Sequence, residues 1–179
     1  MHHPQGGIHR RHPFVTPTEL REPARRFRGR LVGPVTVWTA GGPEERTGLT
    51  MSSLVVAEGE PASVFGLVGE TSELWEAVQK SEAFVVHVLE ERHRQLADRF
   101  AGLRPSPGGL FRDLVVQDTP WGPVLADLAT RAFCRLGSSE ESGYHLLVQG
   151  VIQRIELHDL REPLAYYRGG YRRLRTDDR

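Results

Sequence analysis

The chain has 179 residues, and its 23 basic and 23 acidic side chains give a formal net charge of zero. This length can bury a core without disulfide staples, and a neutral chain offers no whole-molecule field that would favour nucleic acid. The single cysteine, Cys134, excludes an internal disulfide framework and a cysteine-built metal site. No apolar run reaches the roughly 18 residues of a membrane span, and the N-terminus lacks the apolar core of a secretory signal. We therefore expect a cytoplasmic protein without membrane or nucleic-acid partners.

The N-terminal residues are rich in His, Gly, Pro and Arg and poor in apolar side chains, which is typical of a disordered tail. We predict such a tail over residues 1–17 and a short C-terminal tail over 176–179, on either side of one domain at 18–175. Histidines in a flexible tail have no fixed supporting partners, so we predict no metal site. Thr18 can cap a short helix that continues to Phe27.

A β-hairpin is predicted at the start of the domain. Residues 31–40 are rich in β-branched and aromatic side chains, and residues 49–57 return after a Gly/Pro-rich loop at 41–43. The stretch from Thr47 to Ser53 carries four hydroxyl side chains in seven residues. A strand with one polar and one apolar face can line a pocket. The hairpin is therefore our candidate site for a small, polar, phosphorylated ligand.

The rest of the chain alternates between short strand patterns and two helical ones. Strands are predicted over 63–68, 84–89, 114–116, 124–125, 130–136 and 144–157, and helices over 73–80 and 92–100. A polar turn at 137–143 is expected between the last two strands. The hairpin-sized gaps favour an antiparallel barrel over a doubly wound parallel sheet. A Rossmann glycine fingerprint and a Walker loop are both absent from the sequence.

Nine segments follow one another in a recognisable order: VTVWTA, GLTMSSL, SVFGLV, a Ser/Thr-capped helix, FVVHVL, LADRFAG, GPVL, GYHLLVQGVI and PLAYYRGGYRRL. This series, over residues 27–174, resembles the flavin reductase-like family. The resemblance implies a mainly β fold with short helices, an antiparallel Greek-key split β-barrel that forms a homodimer. It also implies FMN, or sometimes FAD, as the cofactor and NADH or NADPH as the electron donor. Reduced flavin would then pass to a monooxygenase, and the cofactor rather than a side chain would carry the hydride.

The resemblance places the flavin ring and ribityl chain along the hairpin. Neutral donors suit the ring edge because they stabilise the negative charge of reduced flavin in a dry pocket. The residues implied to contact the cofactor are Leu49, Thr50, Met51, Ser52 and Ser53 on the returning strand, and Trp38 and Thr39 on the strand before it.

The flavin phosphate is expected, on the same resemblance, at the loop that follows the third strand. Thr71 and Ser72 fit the hydroxyl part of that role, at a helix N-terminus whose free amides and dipole favour an anion. Glu70 and Glu73 stand where the family has arginines, and carboxylates beside a phosphate are unfavourable. Arg99 is either the cation that replaces those arginines or an ordinary surface arginine of its helix.

The long late strand begins with Tyr144 and His145, where the family often has Asp and His after a glycine. The resemblance makes His145 the catalytic candidate, placed over the flavin face to orient the nicotinamide. Three alternatives to an NAD(P)H:flavin oxidoreductase remain open: an FMN-binding carrier or sensor without nicotinamide turnover, a related barrel that uses a deazaflavin or haem, and a structural dimerisation module. His87, by contrast, is predicted to be a core or interface histidine.

Overall fold

The computed structural model describes residues 23–174. The expected tails and the proposed cap Thr18 lie outside this range. In chain order the elements are α1 (Pro23–Arg28), β1 (Gly33–Pro34), β2 (Thr36–Ala40), β3 (Thr47–Met51), β4 (Leu54–Ala57), β5 (Ser63–Val68), α2 (Glu73–Ser81), β6 (Ala83–Val88), a single 3-10 turn (Glu91–His93), α3 (Arg94–Phe100), β7 (Val116–Thr119), β8 (Gly122–Leu125), β9 (Arg131–Ser142), β10 (His145–Glu156), β11 (Leu164–Tyr167) and β12 (Gly170–Arg173).

Seven of the strands form one curled antiparallel sheet, in the order β3-β2-β6-β9-β10-β5-β4. β1, β11 and β12 make a second, small sheet, and β7 pairs with β8. The curl brings β2 over β5, because Gly66 of β5 lies directly under the indole of Trp38. Trp38 also stacks on Phe84 of β6 with ring centroids 4.7 Å apart. The result is a half-barrel around an apolar core, which confirms the prediction of a mainly β antiparallel fold with short helices.

The predicted strand over residues 31–40 is wrong in one respect, because the chain changes sheets at Val35. β1 pairs with β11, whereas β2 pairs with β3 and β6. Pro34 has no backbone N–H and cannot donate to a ladder, and the N–H of Val35 bonds to the carbonyl of Leu164. The strand therefore breaks at Val35 because β1 pairs with β11, which lies far along the chain.

The returning strand over residues 49–57 is also two strands. β3 and β4 lie at opposite edges of the large sheet, and Ser52 and Ser53 form the corner between them. The N–H of Leu67 donates to the carbonyl of Ser53 at 3.1 Å, which fixes this corner against β5. The hairpin of β2 and β3 itself is confirmed by their antiparallel pairing.

The polar turn predicted at 137–143 is wrong. β9 continues to Ser142 and β10 begins at His145, so Gly143 and Tyr144 alone form the turn. Gly143 has a φ of 61°, which suits a two-residue hairpin. Residues 137–142 are exposed, so their polar composition reflects a ribbon that is solvated on both faces rather than a loop.

The smaller elements lie within a few residues of their predicted positions. α2 begins after Ser72, whose hydroxyl accepts from the N–H of Trp75, as the capping pattern predicts. The second predicted helix is divided into the 3-10 turn and α3, and the strand expected at 114–116 is shifted to β7. Within residues 23–174, no helix is long and apolar enough to cross a membrane.

His87 is a core histidine, in agreement with the prediction. Its Nδ1–H donates to the carbonyl of Val37 at 3.1 Å, and its Nε2 accepts from the N–H of Leu125 at 3.2 Å. Burial lowers the pKa of the ring from its usual 6.5 to about 4. The imidazole is therefore neutral near pH 7, and both of its nitrogens are satisfied by backbone groups.

Candidate functional site

A groove of about 470 Å³ lies beside the corner of the half-barrel, and Ser52 and Ser53 contribute to its lining. The volume falls within the roughly 300–1,000 Å³ of small-molecule sites. Two walls of different chemistry rise from this corner. One comes from the small sheet and α1, and the other comes from β4, β5 and β10.

The first wall combines α1, β1 and the turn between β11 and β12. The N–H of Arg168, in that turn, donates to the carbonyl of Gly29 at 3.0 Å and so ties the turn to the end of α1. β1 passes very close to the corner, since a Cβ on Gly33 would lie 2.6 Å from the carbonyl oxygen of Ser52. Only glycine permits this approach. The wall contributes Arg25, Arg28 and Arg168 to the groove lining.

The second wall is apolar. Leu67 of β5 and Leu147 of β10 are cross-strand partners, and both line the groove. Phe65 lies one pleat further along β5 on the same face and also lines it. Leu54 continues this surface on β4. Such a wall can accept the flat face of an aromatic ligand.

His145 lies at one end of the apolar wall. It is two residues before Leu147 on β10, so both side chains project from the same face, about 7 Å apart along the strand. The side chain of His145 is half-buried. Tyr144, in the hairpin turn beside it, is 87% exposed. The catalytic candidate thus lies close to the apolar wall, although it does not itself line the groove.

The other predicted residues of the hairpin do not line the groove, and they are buried or half-buried. The hydroxyl of Thr39 donates to the carbonyl of Pro123 at 2.6 Å, and the hydroxyl of Thr50 donates to the carbonyl of Ala97 at 2.7 Å. Trp38 is fully buried. Leu49 packs against the core, and Met51 is buried in it. The contact of these five residues with a cofactor remains a prediction.

In the loop before α2, the hydroxyl of Ser72 is used to cap the helix. Ser72 accepts from the N–H of Trp75 and donates its hydroxyl to the carbonyl of Gly69 at 2.7 Å. Thr71 is exposed. Arg99 donates from Nη1 to the carbonyl of Arg112 at 2.9 Å, in the loop after α3. Thr71, Ser72 and Arg99 do not line the groove, and their role in phosphate binding remains a prediction.

The arginines of the first wall were not predicted from the sequence. Arg168 and Gly169 both have positive φ, at 50° and 79°, as in a two-residue hairpin turn. The Arg-Gly-Gly stretch between tyrosines could have indicated this turn. Nothing local indicates that Arg28 would meet it, because the two are brought together only by the pairing of β1 with β11.

A family model described as the flavin reductase like domain matches residues 28–175 of this chain. The chain therefore belongs to the flavin reductase-like family, which confirms the resemblance. It is 31% identical over 155 residues to the reductase component of 4-hydroxyphenylacetate 3-monooxygenase from Thermus thermophilus, covering 87% of this chain and 97% of that protein. It is 31% identical over 156 residues to the NADH-dependent FMN reductase AsuE2 from Streptomyces nodosus subsp. asukaensis, covering 84% and 83% of the two chains.

Solved structures show the same fold. The NADH:FAD oxidoreductase SgcE6 from Streptomyces globisporus superposes with a TM-score of 0.78 at 26% identity, covering 89% of this chain and 99% of that chain. The flavin reductase PheA2 superposes with a TM-score of 0.77 at 24% identity, covering 86% and 97% of the two chains. The fold of this chain is thus a known architecture.

Proposed function

We propose that this chain is an NADH-dependent flavin reductase that reduces FMN or FAD and supplies the reduced flavin to a monooxygenase. The observation that carries the proposal is the position of His145 on β10, two residues from the groove-lining Leu147 and on the same face of the strand. Membership of the flavin reductase-like family supports it. So do the names of two relatives, an NADH-dependent FMN reductase and a monooxygenase reductase component.

The chemistry of the groove fits a flavin. The apolar wall at Phe65, Leu67 and Leu147 can hold a flat ring system, and the corner at Ser52 and Ser53 offers hydroxyl and backbone groups for polar ring atoms and a ribityl chain. When bound, the flavin supplies the hydride acceptor, which side chains cannot provide. The chain's own contribution is to bind the ring, exclude water from one face and orient it.

His145 is proposed to position the nicotinamide against the exposed face of the ring. Holding donor and acceptor in contact contributes much of the rate in a two-substrate reaction, because orientation is lost when either partner moves by about 1 Å. Tyr144 adds an exposed aromatic surface at the same end. It stands where a carboxylate was expected, so nicotinamide binding here relies on stacking rather than on charge.

We further propose a cytoplasmic homodimer with the Greek-key arrangement of split barrels. Support comes from exposed apolar side chains. Val55 of the edge strand β4 and Leu147, which both line the groove, are 65% and 37% exposed, and Val56 of β4 is 60% exposed. Large exposed apolar patches commonly mark interfaces. Light scattering on the purified chain at several concentrations tests this part, and a monomer throughout would contradict it.

The activity is tested by NADH oxidation with and without added FMN or FAD. The proposal predicts oxidation that requires both protein and flavin, with NADPH tested in parallel. Tight flavin binding without oxidation of either nicotinamide would contradict the reductase and favour a carrier or sensor. The absence of flavin binding would contradict both functions.

A further inference from the structure

The charged side chains that line the groove are all arginines, and they all lie on one wall. Arg28 and Arg168 are exposed, and Arg25 is half-buried beside them. The lining contains no carboxylate. The guanidinium carbon of Arg168 lies 5.3 Å from the ring centroid of Tyr167, which supports its planar head. An apolar groove with cations along one rim suits an amphipathic anion.

The backbone around these arginines is fixed. The N–H of Arg168 bonds to the carbonyl of Gly29, one residue after Arg28 in the chain. The last carbonyls of α1 already have donors, since that of Arg25 accepts from Gly29 and that of Arg28 accepts from Leu31. Backbone hydrogen bonds therefore satisfy most of the carbonyls at the negative C-terminal end of this short helix. The partial negative charge that is left there does not cancel the positive charge of the arginines.

The loop before α2 has the opposite character. The hydroxyl of Ser72 is engaged in capping the helix. Glu70 and Glu73 are both exposed in this region, and their carboxylates repel an anion. Neither of them lines the groove. The expected phosphate loop thus lacks cations, whereas the wall across the corner has three.

We propose that the phosphate of the flavin binds Arg28 and Arg168, with Arg25 behind them, rather than the loop before α2. The inference rests on the proposed function, namely that the groove holds a flavin. The planar guanidinium fork binds phosphate oxygens in pairs, which fixes orientation as well as charge. These arginines are then specificity residues that make the chain prefer FMN over riboflavin, which has the same ring and ribityl chain without the phosphate.

The test is a comparison of FMN and riboflavin binding to the full chain, measured by the change in flavin fluorescence. The double variant Arg28→Gln with Arg168→Gln should weaken FMN binding by about 10- to 100-fold, as expected for lost charge-assisted bonds. Its riboflavin Kd should stay within about twofold of the wild type, since only the phosphate contact is removed. Arg26→Gln is the matched control, because Arg26 is exposed on the same helix but does not line the groove.

A second measurement needs no variant. Raising the salt concentration should weaken FMN binding to the wild type and leave riboflavin binding nearly unchanged, because only the phosphate contact is screened. A double variant that keeps the wild-type preference for FMN would overturn the inference. A Thr71→Ala variant that loses the preference for FMN over riboflavin would also overturn it. Riboflavin binding as tight as FMN binding would overturn it while leaving the flavin site intact, whereas binding of neither flavin would contradict the proposed function itself.

Discussion

The indole of Trp38 lies directly against the backbone of Gly66, and this contact closes the half-barrel. A Cβ on Gly66 would be 2.7 Å from Cη2 of Trp38 and 3.0 Å from Cε of Met51. Trp38 cannot move aside, because it is fully buried and stacks on Phe84 with an interplanar angle of 10°. Leu67, the next residue on β5, lines the groove. The same contact therefore holds the apolar wall in place.

Gly66→Ala should destabilise the protein. The added methyl overlaps an indole that has no space to shift, and such overpacking typically costs about 1–3 kcal/mol. The free energy of unfolding in urea measures the effect. Gly42→Ala is the control, since a Cβ there meets nothing within 4 Å, and its effect should stay within about 0.5 kcal/mol. An unchanged free energy for Gly66→Ala would show that the indole does not seal the barrel as described.

The double variant Ser52→Ala with Ser53→Ala should weaken the binding of FMN and riboflavin to the same degree. Each lost hydrogen bond costs about 0.5–1.5 kcal/mol, so the dissociation constants should rise by roughly 5- to 100-fold. Flavin fluorescence titration measures both. Ser139→Ala, on the exposed ribbon of β9, serves as the control. Unchanged affinity for both flavins would place the ligand away from this corner.

His145→Ala should lower NADH oxidation without changing flavin affinity. If the imidazole positions the nicotinamide, its loss misplaces the donor and reduces turnover by roughly 10- to 100-fold. Steady-state rates at saturating flavin, together with the flavin Kd, separate the two effects. His158→Ala is the control, because His158 is exposed and follows the opposite end of β10 from His145. Full turnover in His145→Ala would remove the assigned role.

His87 should make the stability of the protein depend on pH below neutrality. Burial lowers the ring pKa from 6.5 to about 4, so the unfolded chain takes up a proton before the folded one does. The contribution of His87 is complete above pH 6.5 and is lost as the pH falls toward 4, by at most about 3 kcal/mol. Urea unfolding of wild type and His87→Gln across this range measures it.

The difference between those two curves isolates His87. Burial also lowers the pKa of His93, which adds a slope of the same sign to both proteins. The wild type should lose more stability than His87→Gln between pH 6.5 and 4. Parallel curves of unfolding free energy against pH would contradict a neutral imidazole held by two hydrogen bonds.

Local sequence patterns predicted the elements that depend mainly on residues close to them in the chain. The strand pattern over residues 63–68 predicted β5 with its observed bounds, and the Ser/Thr pair at 71–72 predicted the start of α2. Patterns failed at Val35 and at the Ser52–Ser53 corner, where β-propensity continues although the chain changes partners. A corner of this kind is decided by the closure of the sheet, and no local sequence pattern specifies it.

The candidate site was predicted only in part for the same reason. Ser52 and Ser53 were identified because hydroxyls cluster on one short stretch. Arg28 and Arg168 were missed, since they are 140 positions apart and meet through the pairing of β1 with β11. The phosphate was assigned to the loop before α2 by resemblance, and the contrast between its glutamates and the arginine wall became visible only in three dimensions.

The most direct test of the reductase is anaerobic mixing of the purified chain, FMN and NADH while the visible absorbance of the flavin is followed. The flavin should bleach at a rate proportional to protein concentration, more slowly with His145→Ala and at the wild-type rate with His158→Ala. Bound FMN that stays oxidised in the presence of both NADH and NADPH would contradict a flavin reductase.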